Sequence, residues 1–221
     1  MKTALVTGAS SGIGKAIATA LLEKGMTVIG LCRSVDQLPD GVKPLACDLR
    51  DESAIRSAFE TLERLDILVN SAGLAYLSRI CDGNPSDWEE MWRVNVHALG
   101  ICSQLSLALF PEEGGHILNL SSMSGHRVPP TGGFYASTKF AVRAVSEALR
   151  AELKNSGNKT RISCLSPGFV DTPLLEKYFA GREDQLAETR ANINMLTPEA
   201  IADAALHILT SPASVEINDV L

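Results

Sequence analysis

Tyr135 and Lys139 stand four residues apart in Tyr135-Ala136-Ser137-Thr138-Lys139. On a helix that spacing is one turn, so both side chains share a face. A free phenol has a pKa of about 10, too high for an efficient proton carrier near neutral pH. A neighbouring ammonium stabilises the phenolate and lowers that value, so these two residue types at this spacing can move a proton. Taken alone, the pattern also fits a half-buried Tyr beside a solvated Lys. A second stretch, Thr7-Gly8-Ala9-Ser10-Ser11-Gly12-Ile13-Gly14, has the glycines a backbone needs to turn tightly against a pyrophosphate at a helix N-terminus. A P-loop does not fit: five residues separate Gly8 from Gly14, and Ala16 after Lys15 supplies no hydroxyl for Mg²⁺.

These residues need elements to position them, and the hydrophobic pattern supplies them. Ala4-Leu5-Val6 leads into a predicted helix from about Gly12 to Lys24, stopped by Gly25. Further short apolar runs lie at Val28–Leu31, Lys43–Cys47, Ile67–Val69, His116–Leu120 and Ile162–Leu165, and Val215–Ile217 is expected to be a seventh strand. Helical periods fill the gaps, over about Glu52–Arg64, about 86–110 and about Gly133–Asn155. Continuously apolar strands joined by helix-length crossovers imply a parallel sheet with helices on both faces. The expected fold is therefore α/β: a single Rossmann-like doubly wound sheet spanning residues 1–221 as one domain, with ligands at the carboxyl ends of the strands.

Composition narrows the partners. With 20 basic against 26 acidic side chains the net charge is −6, and no Lys/Arg cluster interrupts it, which disfavours nucleic acid and anionic membranes. No apolar run approaches the roughly 18 residues of a membrane span. Gly8 follows the start too soon for a leader's apolar region, and the five Cys form no C-x-x-C, so a cytoplasmic protein with reduced thiols is expected. The His and Cys show no metal spacing.

The glycine turn has the form T-G-x-x-x-G-x-G, and it does not stand alone. Asp48 follows the third strand; Asn70-Ser71-Ala72-Gly73 approximates N-N-A-G, with Ser71 departing from the second Asn; Pro167-Gly168-Phe169-Val170-Asp171-Thr172 matches P-G-x-V-x-T. Ser122 lies thirteen residues before Tyr135, and Asn95 sits in Val94-Asn95-Val96. In this order the motifs resemble the short-chain dehydrogenase/reductase family from residue 3 to about 220. Ser122–Val128 is similar to a subgroup of NADP-dependent carbonyl and ketosteroid reductases that includes insect farnesol dehydrogenases, and Leu196-Thr197-Pro198-Glu199 resembles NADP-dependent 3-hydroxy acid dehydrogenases.

The resemblance implies an NADP-dependent oxidoreductase that interconverts a ketone or aldehyde and an alcohol. In it, Tyr135 is the general acid/base, Lys139 lowers the Tyr pKa and holds the nicotinamide ribose, Ser122 bonds the reacting oxygen, and Asn95 positions a relay water. It further implies that Gly8, Ser10, Ser11, Gly12, Ile13 and Gly14 hold the pyrophosphate, that Asp48 with Leu49 contacts adenine, and that Asn70, Ala72, Gly73, Pro167, Gly168, Val170 and Thr172 line the rest of the cofactor. The second strand ends in Arg33 and Ser34, nineteen and twenty residues after Gly14, where an NAD-binding chain usually places an acid. A guanidinium there offers paired hydrogen bonds to a 2′-phosphate, so NADP(H) is the expected cofactor; Asp36 lies further into the loop.

Residues 173–197 fall where the family keeps a substrate lid, and Leu174, Leu175, Tyr178 and Phe179 are spaced as an apolar helical face. With Leu74, Ala75, Tyr76, Val128, Pro129 and Pro130 at the same end of the sheet, an apolar carbonyl or alcohol is the expected substrate. A hydroxy acid would want a cation, for which Arg127, Lys177 and Arg182 are candidates. His126 reads as an exposed loop residue. A homodimer or homotetramer follows from the likeness of the two long helices to the family's pairing surfaces. The other class to weigh is a non-catalytic NADP-binding regulator, which would lack Tyr or Lys; this chain keeps both. Sugar-nucleotide epimerases share Y-x-x-x-K but have a different glycine spacing.

Overall fold

The apolar runs become strands whose alternate side chains enter two different cores. In the computed structural model, which describes residues 1–130 and 132–221, β1 (Thr3–Thr7), β2 (Thr27–Cys32), β3 (Lys43–Ala46), β4 (Ile67–Asn70), β5 (His116–Leu120), β6 (Arg161–Leu165) and β7 (Asp219–Val220) form one sheet. Their order is β3-β2-β1-β4-β5-β6-β7, and every pairing is parallel. The order reverses between β1 and β4, so the loops leaving these two strands diverge and open a crevice at their carboxyl ends.

Helices cover both faces. α1 (Gly12–Glu23) and α8 (Pro198–Leu209) lay Ile17, Leu21, Ile201 and Ile208 over Ala4, Val6, Val69 and Leu118. α2 (Glu52–Glu60), α4 (Ala98–Leu107) and α5 (Gly133–Asn155) lay Ile55, Phe59, Ile101 and Leu153 over Leu5, Leu68, Ile117 and Ile162. Ala4 and Val6 thus face one layer while Leu5 between them faces the other, as a period of two requires. Each fully buried Leu or Ile contributes about 1.5–3 kcal/mol. Local signals set the helix starts: Asp51 accepts from the Ser53 amide at 2.8 Å to cap α2, and Asn84 and Thr197 cap α3 (Pro85–Trp92) and α8, each followed by a proline.

Three boundaries differ from the sequence expectation. α2 ends at Glu60, short of Arg64, because the Thr61 hydroxyl takes the Ala58 carbonyl at 2.7 Å and Leu65 turns to bond Leu109. The long helix expected over about 86–110 runs as α3, a π-turn at Arg93–His97, and α4, with Asn95 inside that widened turn. The last strand is Asp219–Val220, not Val215–Ile217. Side chains claim the earlier segment: Arg161 donates to the Ser211, Pro212 and Val215 carbonyls, and Ser163 Oγ donates to Ile217 O at 2.6 Å. Backbone pairing begins at Asn218, whose carbonyl accepts from the Cys164 amide at 2.8 Å, and continues with Asp219 and Val220 beside Cys164 and Leu165. Among the described residues, no helix is long and apolar enough to cross a membrane.

Candidate active site

A cleft of about 970 Å³ opens at the carboxyl ends of the strands, and most of the expected site residues line it. The glycine turn forms one wall. Gly8 has φ +70°, and a Cβ there would lie 2.8 Å from Ala72 Cα; a Cβ on Gly14 would lie 2.8 Å from the Gly8 carbonyl carbon. Both positions need glycine because strand, turn and helix approach closely. Ser11 caps α1 with no side-chain hydrogen bond, and no acid occupies the first turn, so the first amides of α1 are open to an anion. Thr7 Oγ1 accepts from the Ser71 and Ala72 amides, both at 3.1 Å, and so holds the Asn70–Gly73 turn against the glycine turn.

At the far end of β2, Arg33 is exposed and lines the cleft with Ser34, whereas Asp36 does not line it. Asp48 and Leu49 are there too, but the Asp48 carboxylate is already claimed. Arg50 grips it through Nε and Nη2, at 3.0 Å and 2.6 Å, and bonds Glu90 at 3.0 Å; Glu90 in turn accepts from Tyr76 OH at 2.7 Å. The Arg50 hydrogen bonds hold the Asp48 carboxyl below its ordinary pKa. Arg50 was not singled out in the sequence. It stands two residues from Asp48, but nothing local pointed to Glu90.

Opposite the glycine turn, α5 carries Tyr135 and Lys139. The Tyr135 hydroxyl bonds Ser122, and Lys139 Nζ lies 5.8 Å from the Tyr ring centroid and donates to Leu120 O at 2.9 Å. Burial pushes the Tyr135 pKa up to about 12, against the pull of the Ser122 bond. Burial also pushes Lys139, only 6% exposed, down to about 8. The phenol is therefore protonated at neutral pH, ready to donate.

Two expected residues lie behind the cleft wall. Asn70, 4% exposed, turns its amide inward to Ser103 Oγ at 3.1 Å and Asn119 Oδ1 at 2.9 Å. Asn95, 2% exposed, donates to Leu74 O at 2.8 Å and Thr138 Oγ1 at 3.0 Å while accepting from the Leu74 amide at 2.7 Å. Its side chain clamps the Leu74 backbone to α5 and does not face the cleft.

Pro167, Gly168, Val170 and Thr172 close the third side, and Thr172 Cγ2 would meet a Cβ on Gly12 at 3.2 Å. Above them, α6 (Pro173–Tyr178) and the residue just after it turn Leu174, Leu175, Tyr178 and Phe179 onto the cleft, α7 (Glu183–Asn192) adds Gln185 and Thr189, and the Tyr178 ring meets the Tyr135 ring edge-on at 6.0 Å. Arg127 and Lys177 are among the lining residues; Arg182 is not. His126 is half-buried, with its Nε2 2.9 Å from Ser166 Oγ, so it is not the free loop residue expected. Among the described residues no group of His, Cys, Asp or Glu could hold a metal ion.

Comparison with known proteins gives a consistent picture. Residues 2–183 match the sequence pattern of the short chain dehydrogenase family. Dehydrogenase/reductase SDR family member 11 from Bos taurus is 38% identical, over 99% of this chain and 94% of that protein. The closed form of a serine dehydrogenase complexed with NADP+ superimposes with a TM-score of 0.91 at 31% identity, covering 99% of this chain and 93% of that one. A 3-ketoacyl-(acyl-carrier-protein) reductase from Brucella melitensis complexed with NADH gives 0.83 at 26% identity, covering 99% and 96%.

Proposed function

The chain belongs to the short-chain dehydrogenase/reductase family of oxidoreductases, and from that premise we propose that it reduces a ketone or aldehyde, or oxidises the corresponding alcohol, with NADP(H). The observation that carries the reading is the Ser122–Tyr135–Lys139 cluster facing the glycine turn across one cleft.

The nucleotide fits the wall as built. The open N-terminus of α1 suits its pyrophosphate, and the missing Cβ atoms of Gly8 and Gly14 leave the turn compact beside it. One of the structural relatives carries NADP+ and another NADH, so the preference for NADP rests on Arg33 and Ser34, two hydrogen-bond donors on the cleft that suit a 2′-phosphate. When bound, the nicotinamide supplies the hydride to the carbonyl carbon or takes it from the alcohol carbon.

The protein's own residues handle the proton and the geometry. In reduction Tyr135 gives its phenolic proton to the carbonyl oxygen; in oxidation it takes that proton back. Ser122 donates to the same oxygen as charge develops there. Lys139 holds a positive charge beneath the phenol, which favours the phenolate left after transfer. Asn95 acts from behind the wall, keeping Leu74 and the Thr138 turn of α5 in register. The apolar lining from Leu74, Leu174, Leu175 and Phe179 favours a hydrophobic carbonyl. A 3-hydroxy or 3-keto acid is the second reading, supported by the Arg127 and Lys177 cations on the same cleft.

The test is NADPH consumption against a panel of apolar ketones, aldehydes and keto acids, run beside Tyr135→Phe. Turnover that falls at least about 10²-fold in the variant, with NADPH affinity unchanged, is the expected result. A variant that keeps most of the rate would put the proton donor elsewhere. NADPH binding without any turnover would favour the regulator.

A further inference from the structure

Ser122 sits at the start of a short turn whose hydrogen bonds are all accounted for. Gly125 N donates to Ser122 O at 2.8 Å and His126 N donates to Met123 O at 3.0 Å, so residues 122–126 form one stiff unit. One side of that unit rests on α5. A Cβ at Gly125 would lie 2.6 Å from Ser121 Oγ and 2.7 Å from the Lys139 carbonyl, and Arg143 donates to Gly125 O at 3.1 Å. The near end is tied to the loop after β6 through Met123 N and Pro167 O, at 2.8 Å. The far end is tied to the same loop by one contact between side chains forty residues apart, His126 Nε2 with Ser166 Oγ at 2.9 Å. Ser166 is itself buried, and its amide is fixed on Val220 O at 2.9 Å, so the anchor does not move.

We propose that His126 is a positioning residue: by fastening the end of the Ser122 turn to Ser166, it fixes the place from which Ser122 meets Tyr135 and the reacting oxygen. The inference rests on the catalytic reading of Ser122 given above. Without this contact the Arg143 bond to Gly125 O is all that holds the far end, and a shift of about 1 Å at a catalytic group costs on the order of 10²-fold in rate. Burial and the nearby Arg143 guanidinium hold the His126 pKa below its usual value, so the imidazole stays neutral and keeps one donor and one acceptor nitrogen for the serine.

Four variants decide the matter: His126→Ala, His126→Gln, Ser166→Ala and the His126→Ala/Ser166→Ala double. With NADPH and the best substrate of the panel, His126→Ala should lower kcat about 10- to 100-fold while KM for NADPH stays within about twofold. His126→Gln, whose side-chain amide reaches the place of Nε2, should recover most of that loss. The double variant should be no slower than the worse single one, because both remove the same contact. A second readout needs no turnover. In the nucleotide-free protein, hydrogen exchange at the Ser124 amide, which is bonded to Ser122 Oγ, should quicken at least about tenfold in His126→Ala and remain slow in His126→Gln. Unchanged kcat in His126→Ala, or additive losses in the double, would overturn the proposal. Should the wild type reduce nothing, the enzymatic reading fails by itself, and exchange then decides the tether: unaltered exchange overturns it, and faster exchange upholds it.

Discussion

The Lys139 ammonium lies 5.8 Å from the centre of the Tyr135 ring and donates to the Leu120 carbonyl at 2.9 Å. Burial works on the two groups in opposite senses on the pH scale, raising the phenol to about 12 and lowering the ammonium to about 8. Both shifts favour the neutral form. The pair is thus costly to charge in the nucleotide-free molecule, a cost the site bears for its chemistry.

Replacing Lys139 by Met should therefore stabilise the nucleotide-free protein while abolishing turnover. The unfolded chain keeps its Lys proton up to about 10.5 and the folded one up to about 8, so between those values the unfolded state binds more protons and folded stability rises with pH. The advantage of Lys139→Met, up to about 3 kcal/mol at pH 7, should shrink across that window. Urea titrations at pH 7, 8 and 9 measure it; a constant difference would show that the ammonium is not strained by burial.

Arg33→Ala tests the cofactor choice. Loss of charge-assisted bonds to a 2′-phosphate should weaken NADPH binding about tenfold or more, with NADH altered less than about threefold. Fluorescence titration of both nucleotides reads this directly. Equal losses would remove Arg33 from the phosphate site.

Gly14→Ala tests the turn. The new methyl would meet the Gly8 carbonyl, backbone that cannot swing aside, so a destabilisation of about 1–3 kcal/mol and a marked loss of nucleotide affinity are expected. Thermal melting with and without NADPH would expose both. A variant that melts and binds like the wild type would mean the turn has slack.

His116 sets an acid limit. It is buried on β5 with Nε2 2.8 Å from Ser163 Oγ, and burial pushes its pKa down from 6.5 to about 3. The unfolded chain gains this proton first as the pH drops, so stability is lost from 6.5 downward, by up to about 1.4 kcal/mol per pH unit. His116→Gln should flatten that slope. Parallel acid limbs in urea unfolding at pH 7, 6 and 5 would discount the imidazole.

What was legible in the sequence is what local spacing encodes. Tyr135 and Lys139 share a helix face because four residues make a turn, and Gly8 and Gly14 are conspicuous because few other residues fit such a bend. Nearly every residue that the family motifs named lines the cleft, Asn70 and Asn95 apart. What the spacing did not encode comes from contacts between distant segments. Asn70 and Asn95 belong to the right motifs, but a motif does not reveal which way an amide turns; partners at Ser103, Asn119 and Thr138 draw both inward. Val215–Ile217 has strand-like residues, yet Arg161 and Ser163, more than fifty positions away, take its carbonyls. Arg50 was passed over and His126 read as an exposed loop residue for the same reason, since Glu90 and Ser166 stand forty residues from them.

The covering segment has a base of its own. Val170 and Leu196 pair as a lone parallel bridge, reinforced by Leu196 N to Phe169 O at 2.9 Å and Asp171 N to Leu196 O at 3.0 Å. The chain therefore leaves and re-enters the scaffold at one point, and what lies between is a closed excursion. Doubling the length of such a loop costs only about 0.6 kcal/mol in closure entropy. The segment is in effect a cassette: it can be lengthened, shortened or exchanged for another without separating its two ends, so the roof over Tyr135 and Lys139 can be rewritten while the sheet and helices that carry them stay as they are.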